Sequence, residues 1–132
     1  MTMAIITHVA RNKHIHEMVF TESSRGAIDQ FLSMLSKIYE QSNGLPIYIV
    51  LDMRHSGMLP LRYLTKSLRR TLEQYPNQPP ANIAIVLEDP QMLNVTRALL
   101  RTITHRESVQ YFTQIDKARL WLQLEYNRSA RR

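Results

Sequence analysis

The chain has 132 residues, no cysteine, a formal net charge of +6 and 44% hydrophobic residues, a length that fits one domain burying roughly two-thirds of the surface its unfolded form exposes. The missing cysteine excludes disulfides, thiolate catalysis and cysteine-ligated zinc, and no apolar run approaches the ~18 residues of a membrane span. With no basic-then-apolar order at the N-terminus, the expectation is a soluble, cytoplasmic protein whose positive charge favours anionic partners without defining an activity.

The chain opens with a predicted β-hairpin. Ala4 to Ala10 is rich in strand formers, Arg11-Asn12-Lys13-His14 is polar enough for a turn, and Ile15 to Thr21 alternates loosely, with Ile15, Glu17 and Val19 set against His16, Met18 and Phe20. Ser23 or Ser24 then caps a first helix, because a serine hydroxyl accepts a bond from one of the free amides of the first turn. Ile28, Phe31, Leu32, Leu35, Ile38 and Tyr39 recur at helical spacing, Asp29, Gln30, Ser33, Lys37 and Glu40 are left for the wet side, and Gly44 supplies a stop.

Leu45-Pro46-Ile47-Tyr48-Ile49-Val50-Leu51-Asp52 is too short and too rich in β-branched and aromatic residues for a helix, and its continuous apolar run is that of a central strand covered on both faces. The loop leaving the carboxyl end of such a strand is the usual place for a ligand or partner, which points to Asp52 to Gly57. Pro60 suits the first turn of a second helix over about 59 to 75, with Leu61, Leu64, Leu68, Leu72 and Tyr75 inward and Arg62, Lys66, Arg69 and Arg70 outward. Tyr75-Pro76-Asn77-Gln78-Pro79-Pro80 ends it.

Asn82 to Glu88 repeats the pattern of the central strand, and Asp89-Pro90 opens a third helix with Leu93, Thr96, Leu99, Leu100 and Ile103 on its buried face. Ser108 to Phe112 is a last strand. Thr113-Gln114-Ile115-Asp116 has the spacing of a capping box and opens a closing helix with Ala118, Trp121, Leu122 and Glu125 at helical spacing. The expected organisation is one α/β domain over 1–126, ordered β-β-α-β-α-β-α-β-α, with a mixed sheet, helices packed on it and a basic C-terminal tail over 127–132.

The succession of an N-terminal hairpin, a helix, Ile49-Val50-Leu51-Asp52, Ser56-Gly57 before a helix, Ile83-Ala84-Ile85-Val86, Tyr111-Phe112 and the closing Ala118-Arg119-Leu120-Trp121-Leu122 resembles the STAS-like, SpoIIAA-like superfamily. It is most like bacterial members in which a phenylalanine strand end leads into an alanine-x-x-tryptophan-leucine helix. The resemblance covers nearly the whole chain and implies a non-enzymatic regulatory or binding module without a cofactor. Its partner would be a protein, such as a kinase or a sigma-factor regulator. Relatives of the lipid-carrier kind imply a second reading, a carrier or sensor of a lipid or other apolar anion. In the antagonists of that superfamily a serine at the start of the helix after the central strand is phosphorylated, and Ser56 is the nearest match. The spacing differs, since only Met53, Arg54 and His55 separate Asp52 from Ser56, and Ser56 lacks the acidic and serine neighbours of the antagonist motif.

The residues themselves offer these candidates. Ser56 serves either as a phosphorylation switch, near Arg54 and Arg62, or as a cap or turn residue. Asp52, Met53, Arg54, His55, Gly57, Met58, Leu59 and Tyr63 form the expected partner or ligand surface, with the methionines supplying adaptability if they are not core filler. Asp52, His55 and Ser56 carry the groups of a hydrolase triad, but neighbours on one short loop seldom converge in that geometry, and no Gly-x-Ser-x-Gly elbow exists. His8, His14 and His16, with Glu17 and Glu22, raise a metal site, against which exposed edge-strand polar residues are the ordinary explanation, and no metal is expected. His105 and Arg106 read as loop residues. Arg62, Lys66, Arg69 and Arg70, with Arg128, Arg131 and Arg132, are either an anion-receiving set or a solvated face. No aromatic ladder or nucleic-acid motif accompanies them, which argues against nucleic acid.

Overall fold

Each of the apolar runs becomes a strand, and each amphipathic stretch a helix. The computed structural model describes residues 6–10, 15–57, 60–76, 81–100 and 108–130. Within them the order is β1 (Ile6–Ala10), β2 (Ile15–Phe20), α1 (Arg25–Gln41), β3 (Ile47–Asp52), α2 (Leu61–Glu73), β4 (Ala81–Val86), α3 (Pro90–Leu100), β5 (Ser108–Phe112) and α4 (Ile115–Ala130). The strands form one sheet in sequential order, β1-β2-β3-β4-β5. β1 and β2 are antiparallel, His8 facing Met18, while β2 to β5 run parallel, with Glu17 beside Val50 and Asp52 beside Val86.

The sequential order decides where the helices lie. Each of the steps β2 to β3, β3 to β4 and β4 to β5 moves one strand across in the same direction, so right-handed crossovers put α1, α2 and α3 on one face. There Ile28, Phe31, Leu35, Leu64, Leu68 and Leu93 bury Met18, Phe20, Ile49, Leu51, Ile83 and Ile85. The other face carries α4, whose Ala118 and Leu122 cover Tyr48, Val50, Ala84 and Val86, with Phe112 and Trp121 at the margin. β3 is buried along its whole length, as a strand covered on both faces must be.

The helix ends follow the chemistry of their residues, with exceptions. Ser24 Oγ accepts from the Ala27 amide at 3.1 Å, and Asp89 Oδ1 accepts from the Gln91 amide at 2.8 Å. α1 ends through Asn43 and Gly44 at φ 52° and 78°, the left-handed conformation that breaks a helix. The remaining ends differ from expectation. Pro60 stands one position ahead of α2, at its cap, where it supplies no side-chain bond. α4 begins at Ile115, and Asp116 answers Arg119 at 3.5 Å one turn on, so Thr113 does not anchor a capping box there. The expected basic tail from residue 127 is helical as far as Ala130, and Arg128 pairs with Glu125 at 3.4 Å. Arg131 and Arg132 lie outside the described residues.

Candidate functional site

The carboxyl end of β3 is closed by its own acid. Asp52 is 2% exposed and faces the α4 side of the sheet. Its Oδ1 accepts the Arg54 backbone amide at 3.1 Å and Arg54 Nε at 2.9 Å, and its Oδ2 accepts an Arg54 Nη at 2.8 Å. Burial alone raises a carboxyl's pKa, but here the Arg54 side-chain and backbone hydrogen bonds and its charge outweigh burial and hold Asp52 below the ordinary value. The same hydrogen bonding raises Arg54. A two-residue turn and a bidentate fork thus fix where the loop leaves the sheet.

Beyond that anchor the loop divides. Met53 is buried in the core, its amide continuing the ladder onto the Val86 carbonyl at 2.9 Å. His55 is exposed. Ser56 Oγ donates to the Gly57 carbonyl at 3.1 Å and lies 3.4 Å from that of Met53. Ser56 therefore shapes a turn and does not cap α2, which starts five residues later at Leu61. Gly57 has φ 76°, a conformation that favours glycine at this turn. Met58 and Leu59 lie outside the described residues. Asp52, His55 and Ser56 do not assemble as a catalytic relay, since both carboxylate oxygens are engaged by Arg54 and the serine hydroxyl by backbone carbonyls.

The basic face of α2 splits into two parts. Arg62, Lys66 and Arg70 stand at successive i, i+4 positions and line an open groove of about 360 Å³ together with Tyr63, Ser67 and, from α1, Arg25. Arg69 is exposed and does not line it. The Tyr63 hydroxyl donates to Asp29 Oδ1, which raises the tyrosine's pKa, and the Arg25 guanidinium lies over the Tyr63 ring at 5.1 Å from its centroid. Arg25 is the member that sequence reading missed. Only tertiary packing joins the outer faces of two helices separated by a strand.

The opposite face of the sheet holds a second buried acid. Glu17 is 2% exposed on β2 and receives Arg119 Nε and Nη from α4 at 3.0 and 2.7 Å. This corrects the expectation that the polar residues of the hairpin are exposed on an edge strand: β2 is interior, between β1 and β3. His16 is half-buried at the amino end of the parallel strands, beside Leu45 and Pro46 in a shallow groove of about 240 Å³. The side chains of His8 and His14, and His105 and Arg106, lie outside the described residues, among which no cluster of three metal-ligating side chains occurs.

Between the sheet and α1–α2 an apolar cavity lined by Phe31, Leu51, Met53, Leu64, Leu68 and Ile83 has a volume of about 30 Å³. That is room for a water-sized body, not for a lipid chain. The described strands also follow one another without a reversal of order, so among them there is no switch-point crevice of the kind that makes strand ends a ligand site in doubly wound sheets. No helix among the described residues is long and apolar enough to cross a membrane. No protein-family model matches the chain, and no curated protein or solved structure is significantly similar to it.

Proposed function

We propose that this chain is a non-enzymatic binding module of the STAS-like kind, docking a protein partner on the loop after β3 and the start of α2. The observation that carries the reading is the construction of that loop. Asp52 and Arg54 lock its base, Met53 ties it into the core, and His55 to Gly57 turn outward. An outward loop on a rigid base loses little conformational entropy on docking. The carrier reading draws no support from the interior, where the apolar cavity among the described residues is about 30 Å³.

The test is to isolate a partner by affinity capture and then measure its affinity for purified variants. His55→Glu and Ser56→Asp are expected to weaken binding at least about tenfold, and Gln110→Lys on the far strand to leave it unchanged. Ser56→Ala separates a docking role from a switch: equal binding by Ser56→Ala and Ser56→Asp removes phosphorylation control. Partner binding that is indifferent to both loop positions removes the docking reading itself.

A further inference from the structure

The groove between α1 and α2 has the features of a built anion site. Arg62, Lys66 and Arg70 rise along one side of α2 over about 12 Å, at 1.5 Å per residue, and Arg25 of α1 faces them across the concavity. None of these cations forms an ion pair within the described residues, whereas Arg54, Arg119 and Arg128 each hold a carboxylate. The walls are also fixed. Tyr63 is held by Asp29 and carries Arg25 over its ring, and outside the groove the same two helices are tied where Tyr75, just past α2, stacks on Tyr39 of α1 at 5.0 Å and donates to Glu40 at 3.3 Å. Concentrating like charges in one concavity repels them from one another, and an anion between them relieves that repulsion.

We infer that this groove binds a small soluble molecule bearing several phosphate groups. Guanidinium forks pair with phosphate oxygens two at a time, the spread of the cations matches more than one phosphate, and about 360 Å³ lies in the range of small-molecule sites. Asp29, bonded to Tyr63 at the rim, offsets one of the four positive charges and leaves the groove with a cationic surplus that attracts an anion more strongly the more charge it carries. The proposal does not rest on the loop after β3 docking a protein.

Isothermal titration calorimetry of the full chain with inorganic tripolyphosphate, in about 150 mM salt, tests it. Wild type is expected to bind saturably at one site, the double variant Arg62→Gln/Arg70→Gln to bind at least tenfold more weakly, and Arg69→Gln to stay within twofold of wild type. All these positions are solvent-facing on α2, and circular dichroism verifies the fold of each variant. If Arg69→Gln weakens binding as much as the double variant, the attraction is diffuse surface charge and the proposal fails. It also fails if tripolyphosphate gives no saturable heat, or if vesicles containing phosphoinositide bind the chain while tripolyphosphate does not compete.

Discussion

Asp52 separates what a residue type suggests from what its neighbours make of it. A strand-end aspartate beside a histidine and a serine has the composition of a reactive cluster, yet Arg54, two residues on, takes both oxygens. The pairing has a consequence in solution. A carboxyl whose folded pKa lies below its unfolded value, here 3.8 as the ordinary reference, contributes stability that is present above the unfolded pKa and is lost as pH falls through the folded one. Urea unfolding of wild type should therefore lose stability as pH falls through and below the ordinary carboxylate range, and part of that loss should vanish in Asp52→Asn. The variant should also be less stable than wild type at pH 7, by about 1–3 kcal/mol, because Arg54 keeps a partner of similar shape but without charge. An acid limb of unchanged steepness in Asp52→Asn would show that other carboxylates govern it. Tyr48 is the contrasting residue: 2% exposed and packed edge-on against Tyr126 at 5.6 Å, its hydroxyl has no hydrogen-bond partner among the described residues, so its place rests on ring packing.

At the scale of elements, α4 is attached by two different kinds of contact. Ala118 and Leu122 bury against β3 and β4, while Arg119 reaches past them to Glu17 on β2. Glu17 is an acid in an interior strand, costly to leave alone, and Arg119 is itself 38% exposed, so the pair is only partly removed from water. Arg119→Met should destabilise the fold by roughly 2–3 kcal/mol, less than the loss of a partner in a fully buried pair. The double variant Glu17→Leu/Arg119→Met should recover most of that loss, since an apolar pair of similar volume has no charge to solvate. Chemical denaturation of wild type, Glu17→Leu, Arg119→Met and the double variant measures the coupling, and additive single effects would mean that the bridge joins β2 to α4 only weakly. The basic face of α2 follows the same division: helical spacing put Arg62, Lys66, Arg69 and Arg70 outward together, and only the packing of α1 beside α2 left Arg69 out of the groove and brought Arg25 into it.

For the whole molecule, the sequential strand order makes the two faces unequal. Three helices share one face, and α4 alone among the described helices covers the other. A chain ending after Gln114 would uncover Tyr48, Val50, Ala84 and Val86 together. It should lose cooperative unfolding and bind a hydrophobic dye, as expected of an exposed apolar patch of several side chains. Retention of a sharp thermal transition in that truncated chain would mean that the α1–α3 core holds the sheet unaided.

The order of strands and helices was legible because every element is long enough to show its period. The continuous run Ile47–Leu51 required cover on both faces, and the α1 stripe from Ile28 to Tyr39 is buried at each position named from its spacing. Caps were partly legible: Ser24 and Asp89 act through local bonds, whereas the starts of α2 and α4 depend on how the preceding loops leave the sheet. Period and propensity, both properties of neighbouring residues, thus determined the elements and the α/β class. Only tertiary structure decided that Glu17 lies inside with Arg119 upon it, that the apolar cavity lined by Phe31, Leu51 and Leu64 is water-sized, and that Arg25 completes a cationic groove. Each of those depends on residues far apart in the chain, and the side that a polar residue faces is set by the element that comes to rest against it.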